Sequence, residues 1–208
     1  GDDLGQLQQA VGELHEAPMY VDDTPGITLM QMRAKARRMK LEQTPEGVAA
    51  VRFQFPYQQA RSRRPDPPAL LQATWRAAVD AARPLGRRLA IGGRSMGGRI
   101  ASMVTAGGTP VDALALFAYP LRPPGRPDQM RAGHLPQISV PTLFCSGTRD
   151  SFGTPDELRD AAALVPNATL HLLEGADHGF DCVKSTGRSR QQVWAEAYEA
   201  FTGWLRHL

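Results

Sequence analysis

A serine with a glycine on either side stands near the middle of the chain, in the sequence GRSMG at residues 93–97. A short strand-like run precedes it at residues 88–92, and helical spacing begins at Gly97. This strand–turn–helix setting is the one in which a G-x-S-x-G sequence lifts a serine hydroxyl above a sheet as a nucleophile. We therefore predict Ser95 as the nucleophile of an acyl-transfer reaction.

The two glycines of this motif have a steric explanation. Side chains at Gly93 and Gly97 would collide with the neighbouring strand and helix in so sharp a turn, so we expect both positions to require glycine. The helix N-terminus beneath the serine favours negative charge. The backbone N–H of Met96 is then the predicted donor to the oxyanion that forms when a carbonyl is attacked.

A serine hydroxyl needs a base, and histidine is the side chain best matched to neutral pH. His178 follows the last predicted strand, and loops at the carboxyl ends of strands line the crevice of an α/β sheet. We therefore predict His178 as the base. The other histidines fall in the N-terminal segment, in a long loop, inside a strand and next to the last residue: His15, His134, His171 and His207.

The imidazole in turn needs an acid that fixes its tautomer and stabilises its positive charge. Asp150 follows a predicted apolar strand, which puts it at the same sheet edge as the base. Asp177 is a second candidate, but it adjoins the base and would point away in a tight loop. Asp112 precedes its strand and falls at the opposite edge. The order serine, aspartate, histidine along the chain is the order of α/β-hydrolases.

The elements that position these residues alternate between strands and helices. Strands are predicted at residues 48–53, 88–92, 113–118, 140–145 and 168–173, and helices at 69–82, 97–106, 155–164 and 190–206. This alternation predicts a three-layer α/β sandwich with a mostly parallel central sheet. Together with the G-x-S-x-G turn, it indicates an α/β-hydrolase-like sandwich. Residues 54–68 and 120–137 are predicted loops, and the second is placed to roof a site.

Residues 48–208 resemble a small α/β-hydrolase of the dienelactone-hydrolase-like group. The matching stretches are residues 51–57, 92–99, 118–121, 146–150 and 175–178. The resemblance implies the same triad of Ser95, Asp150 and His178, and it implies no particular substrate. We expect esterase-like hydrolysis of a small acyl substrate, with neither a cofactor nor a metal.

The N-terminal residues 1–42 resemble a different family, as an internal piece of a hexameric, RecA-like bacterial replicative DNA helicase. The matching stretches are residues 10–12, 16–27 and 27–40. No GxxxxGK[ST] phosphate loop occurs in the chain, so ATP binding is not expected. We predict a chimeric chain, with a helicase-like segment at residues 1–47 and an α/β-hydrolase domain at residues 48–208.

We expect the N-terminal strands of the hydrolase to be either missing or replaced by the helicase-like segment. Its residues 17–22 and 27–41 are a predicted strand and helix, which could fill the place of one hydrolase unit. Hydrolases of this group usually have a His-Gly-x-Gly-like turn that supplies a second oxyanion N–H. The segment has DDTPG at residues 22–26 instead. Pro25 has no N–H, and two carboxylates would repel an oxyanion, so we expect weakened activity.

Composition excludes several other classes of protein. The net charge of +3 comes from arginines spread along the chain, so a nucleic-acid partner is not expected. No apolar run approaches the roughly 20 residues that span a bilayer. The acidic N-terminus is unlike a signal peptide, so the expected location is cytoplasmic, with no membrane partner. Cys145 and Cys182 form no CxxC pair, which argues against a disulfide framework.

Two alternatives to the hydrolase remain open at this point. One is a non-catalytic hydrolase-like module that binds partners, because a fold does not guarantee a function. The other is a nucleic-acid-binding helicase fragment, which rests on residues 1–42 alone. The pattern specifies neither the oligomeric state nor the acyl group.

Overall fold

The computed structural model describes residues 19–20, 50–85, 88–123, 125–126 and 128–208. By its internal contacts the chain divides into two compact units, Gly1–Arg87 and Arg88–Leu208. The described strands of the first unit are β1 (Met19–Tyr20) and β2 (Ala50–Val51), and its described α-helices are α1 (Pro56–Gln59) and α2 (Pro68–Ala82). β1 pairs with β2 in parallel. The predicted helix at 27–41 and the turn at 22–26 lie outside the described residues.

The first unit differs from its prediction between β2 and α2. Of the strand predicted over residues 48–53, β2 is the part that the structure describes as a strand. The helix α1 lies inside the loop predicted at residues 54–68. Pro56 supplies a fixed φ at the first helical position, and the Gln58 side chain accepts a hydrogen bond from the Phe55 N–H at 3.2 Å. Phe53 turns its ring onto Trp75 of α2, with 4.7 Å between centroids, so aromatic packing fixes this segment after the strand has ended.

The second unit is built on four parallel strands in the order β3-β4-β5-β6. The strands are β3 (Ala90–Arg94), β4 (Ala113–Phe117), β5 (Thr142–Gly147) and β6 (Ala168–Leu173), and the helices are α3 (Met96–Ala106), α4 (Pro155–Ala163) and α5 (Arg190–Leu205). The central strands β4 and β5 are buried almost throughout, which explains their continuous apolar sequences. The predicted α/β class with a parallel sheet is confirmed.

Helices cover both faces of this sheet. Leu116 of β4 lies against α3 at Gly98. Its side chain is 3.4 Å from the position that a β-carbon on Gly98 would occupy. The next residue, Phe117, points to the other face and meets Phe201 of α5 at 5.7 Å between ring centroids. Because neighbouring side chains of a strand point to opposite faces, α3 and α5 lie on opposite sides of the sheet.

Two strands end two residues later than the sequence predicts. β3 ends at Arg94 rather than at residue 92, and β5 at Gly147 rather than at residue 145. Ser146 and Gly147 stay in register with Leu172 and Leu173 of β6, so backbone pairing continues after the apolar run has stopped. As a result Ser95 follows its strand directly, and Asp150 stands three residues beyond its own.

Candidate active site

Ser95 occupies the turn between β3 and α3. Its φ is 53° and its ψ is −123°, a conformation that non-glycine residues rarely adopt. Its N–H donates to the Phe117 carbonyl at the end of β4 at 2.8 Å, and its carbonyl accepts from the Arg99 N–H at 3.0 Å. The turn is thus fixed on one side to the sheet and on the other to the helix. Backbone strain held this firmly is common where a side chain must be aimed at a substrate.

The glycines around this turn differ in how much space they have. A β-carbon on Gly93 would lie 2.9 Å from backbone atoms of Gly97 and Gly98, which confirms its steric role. The same prediction for Gly97 is wrong: apart from its chain neighbours and the nearby backbone of its own helix, no heavy atom of the described residues lies within 4 Å of its would-be β-carbon. Gly98 has the constraint instead, because a β-carbon there would overlap the Gly93 carbonyl oxygen. The helix turns Gly98, not Gly97, towards β3.

The structure brings Ser95, His178 and Asp150 into one hydrogen-bonded line. His178 Nε2 lies 2.9 Å from Ser95 Oγ, and its Nδ1 lies 2.8 Å from Asp150 Oδ2. A carboxylate only accepts, so Nδ1 has the proton and Nε2 accepts from the serine hydroxyl. Asp150 is buried, whereas His178 is partly exposed. The imidazole therefore connects a buried charge to a reachable hydroxyl.

Phe152 contacts both supporting members of this line. Its N–H donates to Asp150 Oδ1 at 2.8 Å, which leaves Oδ2 for the imidazole. Its ring meets the His178 ring with 4.5 Å between centroids and an interplanar angle of 61°. Phe152 is not among the residues predicted from the sequence, although it stands two residues after the predicted acid.

The loop that contains His178 passes over the turn that contains Asp150. The Arg149 N–H donates to the Ala176 carbonyl at 2.9 Å, and the Gly175 N–H donates to Thr148 Oγ1 at 2.8 Å. Gly147 permits this crossing, because a β-carbon there would overlap the Ala176 carbonyl group. Gly147 is not among the site residues predicted from the sequence, although a glycine between a buried strand and a candidate acid indicates close backbone approach.

The two rejected acids have other contacts. Asp177 Oδ1 accepts the N–H groups of Gly179 and Asp181 at 2.7 and 3.0 Å, so it braces the loop from within. Asp112 accepts the Leu89 N–H at 2.6 Å, at the amino ends of β3 and β4. The described site therefore contains neither of them.

Met96 is the first residue of α3, directly after Ser95. Amides of the first helical turn have no acceptor within the helix, and they give this end of the helix partial positive charge. The Met96 N–H, predicted from the sequence as the oxyanion donor, therefore lies at the helix end that favours negative charge. The segment at residues 22–26, predicted to replace the second donor, lies outside the described residues.

Two of the remaining histidines have structural partners. His134 Nε2 lies 2.7 Å from Oγ of Ser102, which is fully buried on α3. Burial and, secondarily, the charge of Arg99 lower the pKa of His134. His171 Nε2 lies 3.0 Å from Glu196 Oε1 of α5. Each of these two histidines therefore joins separate segments of the second unit through its side chain.

Both cysteines are free thiols. Cys145 is buried in β5, and burial together with the charge of Glu196 raises its pKa to about 12. The described part of the chain contains no cluster of three His, Cys, Asp or Glu side chains arranged to hold a metal ion. Within the same ranges, no helix has both the length and the apolar character needed to cross a membrane.

Comparison with known families divides the chain in the same way as its sequence motifs. A family model described as an alpha/beta hydrolase domain matches residues 30–206, and one described as a DnaB-like helicase C terminal domain matches residues 1–53. The two matches overlap, so the boundary at residues 47 and 48 stays a prediction.

The N-terminal similarity is to replicative DNA helicases. The chain is 49% identical to DnaB of Mycobacterium leprae over 39 residues, which is 19% of this chain and 6% of the helicase. It is also 49% identical to DnaC of Bacillus subtilis over 41 residues, 20% of this chain and 9% of that protein. The chain thus spans less than a tenth of the length of these helicases.

Two solved structures are similar to about two thirds of the chain. Rv0554 from Mycobacterium tuberculosis matches with a TM-score of 0.50 at 14% identity, over 66% of this chain and 73% of that one. A predicted CIB-like hydrolase from Thermoplasma acidophilum matches with a TM-score of 0.47 at 23% identity, over 68% of this chain and 61% of that one. The family match covers most of the chain, and the chain therefore belongs to the α/β-hydrolase domain family, with a DnaB-like helicase segment at its N-terminus.

Proposed function

We propose that the chain is a serine hydrolase that cleaves a small ester or a related acyl compound. The observation that supports it is the hydrogen-bonded line from Ser95 Oγ through both nitrogens of His178 to Asp150. A serine is activated when an adjacent base can take its proton and a third group orients that base. The α/β-hydrolase domain agrees with this chemistry, but the fold alone would not assign it.

The reaction has two half-reactions at one serine. Ser95 Oγ attacks the substrate carbonyl while its proton passes to His178 Nε2, and Asp150 stabilises the resulting imidazolium. The proton then passes to the departing alcohol, which leaves an acyl group on Ser95. In the second half, His178 takes a proton from water, the hydroxide attacks the acyl group, and the carboxylic acid leaves as the proton returns to Ser95.

The oxyanion would be bound less well than in a complete hydrolase. The Met96 N–H is the donor supplied by the described residues, and the N-terminal end of α3 adds favourable potential. The sequence lacks the His-Gly-x-Gly-like turn that would supply a second N–H. The loss of one such donor typically lowers the rate about 10²–10³-fold. We therefore expect a turnover below that of hydrolases with both donors.

Labelling with a fluorophosphonate tests this proposal, because such probes react only with an activated serine. We expect the purified chain to form an adduct that peptide mass spectrometry locates on Ser95. Ser95→Ala should abolish the adduct, and Ser139→Ala, a change at an exposed serine away from the triad, should leave it intact. A folded wild-type chain that takes up no probe would reject the proposal.

The second candidate is a non-catalytic hydrolase-like module, favoured by the substituted turn with Pro25. It predicts a folded protein that stays unlabelled and hydrolyses no ester.

The proposed substrate is a small molecule. The expected absence of a nucleic-acid partner, of a membrane partner and of a cofactor, and the cytoplasmic location, stay predictions of the sequence. Salt-dependent DNA binding would contradict the expected absence of a nucleic-acid partner.

A further inference from the structure

Arg94 precedes the nucleophile and contacts the residue proposed as base. Its Nη2 donates to the main-chain carbonyl oxygen of His178 at 2.9 Å, although the two residues are 84 positions apart. Arg94 is the last residue of β3, so its backbone is fixed by the sheet, while its side chain is exposed. The bond thus joins the strand that ends at Ser95 to the loop that contains the imidazole.

The peptide group between His178 and Gly179 has one other constraint among the described residues, because its N–H, that of Gly179, donates to Asp177 Oδ1 at 2.7 Å. The loop around it is braced at its two ends: the Asp177 N–H donates to the Asp181 carbonyl at 2.9 Å, and the Phe180 N–H to the Asp177 carbonyl at 3.0 Å. These bonds fix the neighbours of His178 rather than its own carbonyl. In the described part of the chain, the Arg94 guanidinium is the group that holds that carbonyl.

Arg94 also differs from the arginines that hold carboxylates in the second unit. Arg122 pairs with Glu157 and Arg188 with Glu196, each within salt-bridge distance. Among the described residues no carboxylate pairs with Arg94 in this way. A charged donor forms a stronger hydrogen bond than a neutral one, so the guanidinium is a suitable clamp for a single peptide oxygen.

We propose that Arg94 is a positioning residue, which holds the His178 peptide and thereby keeps the imidazole between Ser95 and Asp150. The inference rests on the proposed function, because it assigns a role within that site. Arg94 and Ser95 are consecutive, so any shift of the turn moves nucleophile and clamp together. The distance between serine and imidazole is then preserved when the surrounding loops move. Small errors in such distances are costly to catalysis.

The test compares Arg94→Ala and Arg94→Lys with Arg149→Ala. Arg149 is a matched control, because its side chain is also exposed, and an alanine there removes one positive charge but keeps the main-chain N–H that donates to Ala176. With p-nitrophenyl acetate we expect Arg94→Ala to lower kcat about tenfold, the effect of one charge-assisted hydrogen bond, and to leave KM within about twofold. Arg94→Lys should recover most of kcat, since an ammonium group can reach the same oxygen. Arg149→Ala should behave as the wild type.

A second readout does not depend on turnover. In ¹⁵N-histidine-labelled protein, the Nδ1 proton of His178 reports its bond to Asp150. We expect faster exchange of this proton with water in Arg94→Ala and no change in Arg149→Ala. If the wild type leaves fluorophosphonate unreacted, the proposed function fails, while this signal still decides the positioning role.

Two results would overturn the inference. One is an Arg94→Ala variant equal to Arg149→Ala in both kcat and proton exchange. The other is a raised KM with unchanged kcat and unchanged exchange, which would make Arg94 a substrate contact instead.

Discussion

The backbone of Ala176 crosses Gly147 so closely that a β-carbon on Gly147 would overlap the Ala176 carbonyl group. This crossing sets the separation between the turn that contains Asp150 and the loop that contains His178. The same Ala176 carbonyl accepts the Arg149 N–H at 2.9 Å, so the two segments are also hydrogen-bonded where they meet. The geometry of the acid and the base therefore depends on a residue that has no side chain.

Gly147→Ala should push the His178 loop away from its partners. We expect a loss of about 10² in kcat/KM, as for a displacement of roughly 1 Å, and a lower free energy of unfolding by about 1–3 kcal/mol from overpacking. Ester hydrolysis and urea unfolding measure the two effects. Gly203→Ala in α5, where the described structure leaves room for a methyl group, should keep activity. If Gly147→Ala kept the wild-type kcat/KM and the wild-type free energy of unfolding, the close crossing of Ala176 over Gly147 would be contradicted.

Asp150→Asn tests which acid orients the base. The amide has nearly the shape of the carboxylate, but it can donate to His178 Nδ1 and favour the wrong tautomer, so kcat should fall by about 10³–10⁴-fold. Asp177→Asn is the matched control. Its amide oxygen can still accept the Gly179 and Asp181 N–H groups, so kcat should change by less than about threefold. Equal losses in both variants would reject Asp150 as the specific partner.

The stability of the protein should fall in mild acid because of His134. Burial, with Arg99, lowers its pKa in the folded state from 6.5. As the pH falls through 6.5, the unfolded state binds the proton first, so stability present above this pH is lost below it. Urea unfolding at pH 7.5, 6.5 and 5.5 should show this decrease. His134→Gln, which keeps a donor for Ser102, should reduce it.

The corresponding control is His207→Gln, because His207 is exposed near the end of the chain. This variant should keep the wild-type dependence of unfolding on pH. An unchanged pH dependence in His134→Gln would exclude His134 as its source.

The two thiols should react with Ellman's reagent at different rates. Cys145 has a pKa of about 12 and is fully buried, so it has almost no thiolate at pH 8. Cys182 is partly exposed in the loop after His178. We expect one reactive thiol in the folded protein, two in urea, and none in folded Cys182→Ser. Two fast thiols in the folded wild type would contradict the packing of β5.

The parts of the site that depend on local pattern were predictable. β4 and β5 are buried on both faces, so their sequences are continuous apolar runs and are recognisable as strands. Asp150 and His178 then follow from a general rule, because parallel strands bring their carboxyl ends to one edge. The structure places both beside Ser95 for this reason.

The parts that depend on distant contacts were not predictable. Gly147 is constrained by a loop almost 30 residues away, and the bond between Arg94 and His178 joins residues 84 apart. No spacing in the sequence reveals which backbone will cross which strand. The error at Gly97 has a related cause, since the motif gives the spacing of the glycines but not the rotation of α3 that turns Gly98 towards β3.

The parallel order of the four strands has a consequence for when the proposed activity would arise during folding. Ser95 and His178 are 83 positions apart in the chain, and their side chains meet only after β3 and β6 have joined opposite ends of the described four-stranded sheet. Contacts of such long range close late, because chain entropy opposes them until shorter-range structure has formed. In a nascent or partly refolded chain Ser95 is an ordinary alcohol. The time at which fluorophosphonate reactivity returns during refolding would therefore report when the sheet is complete, rather than when its helices form.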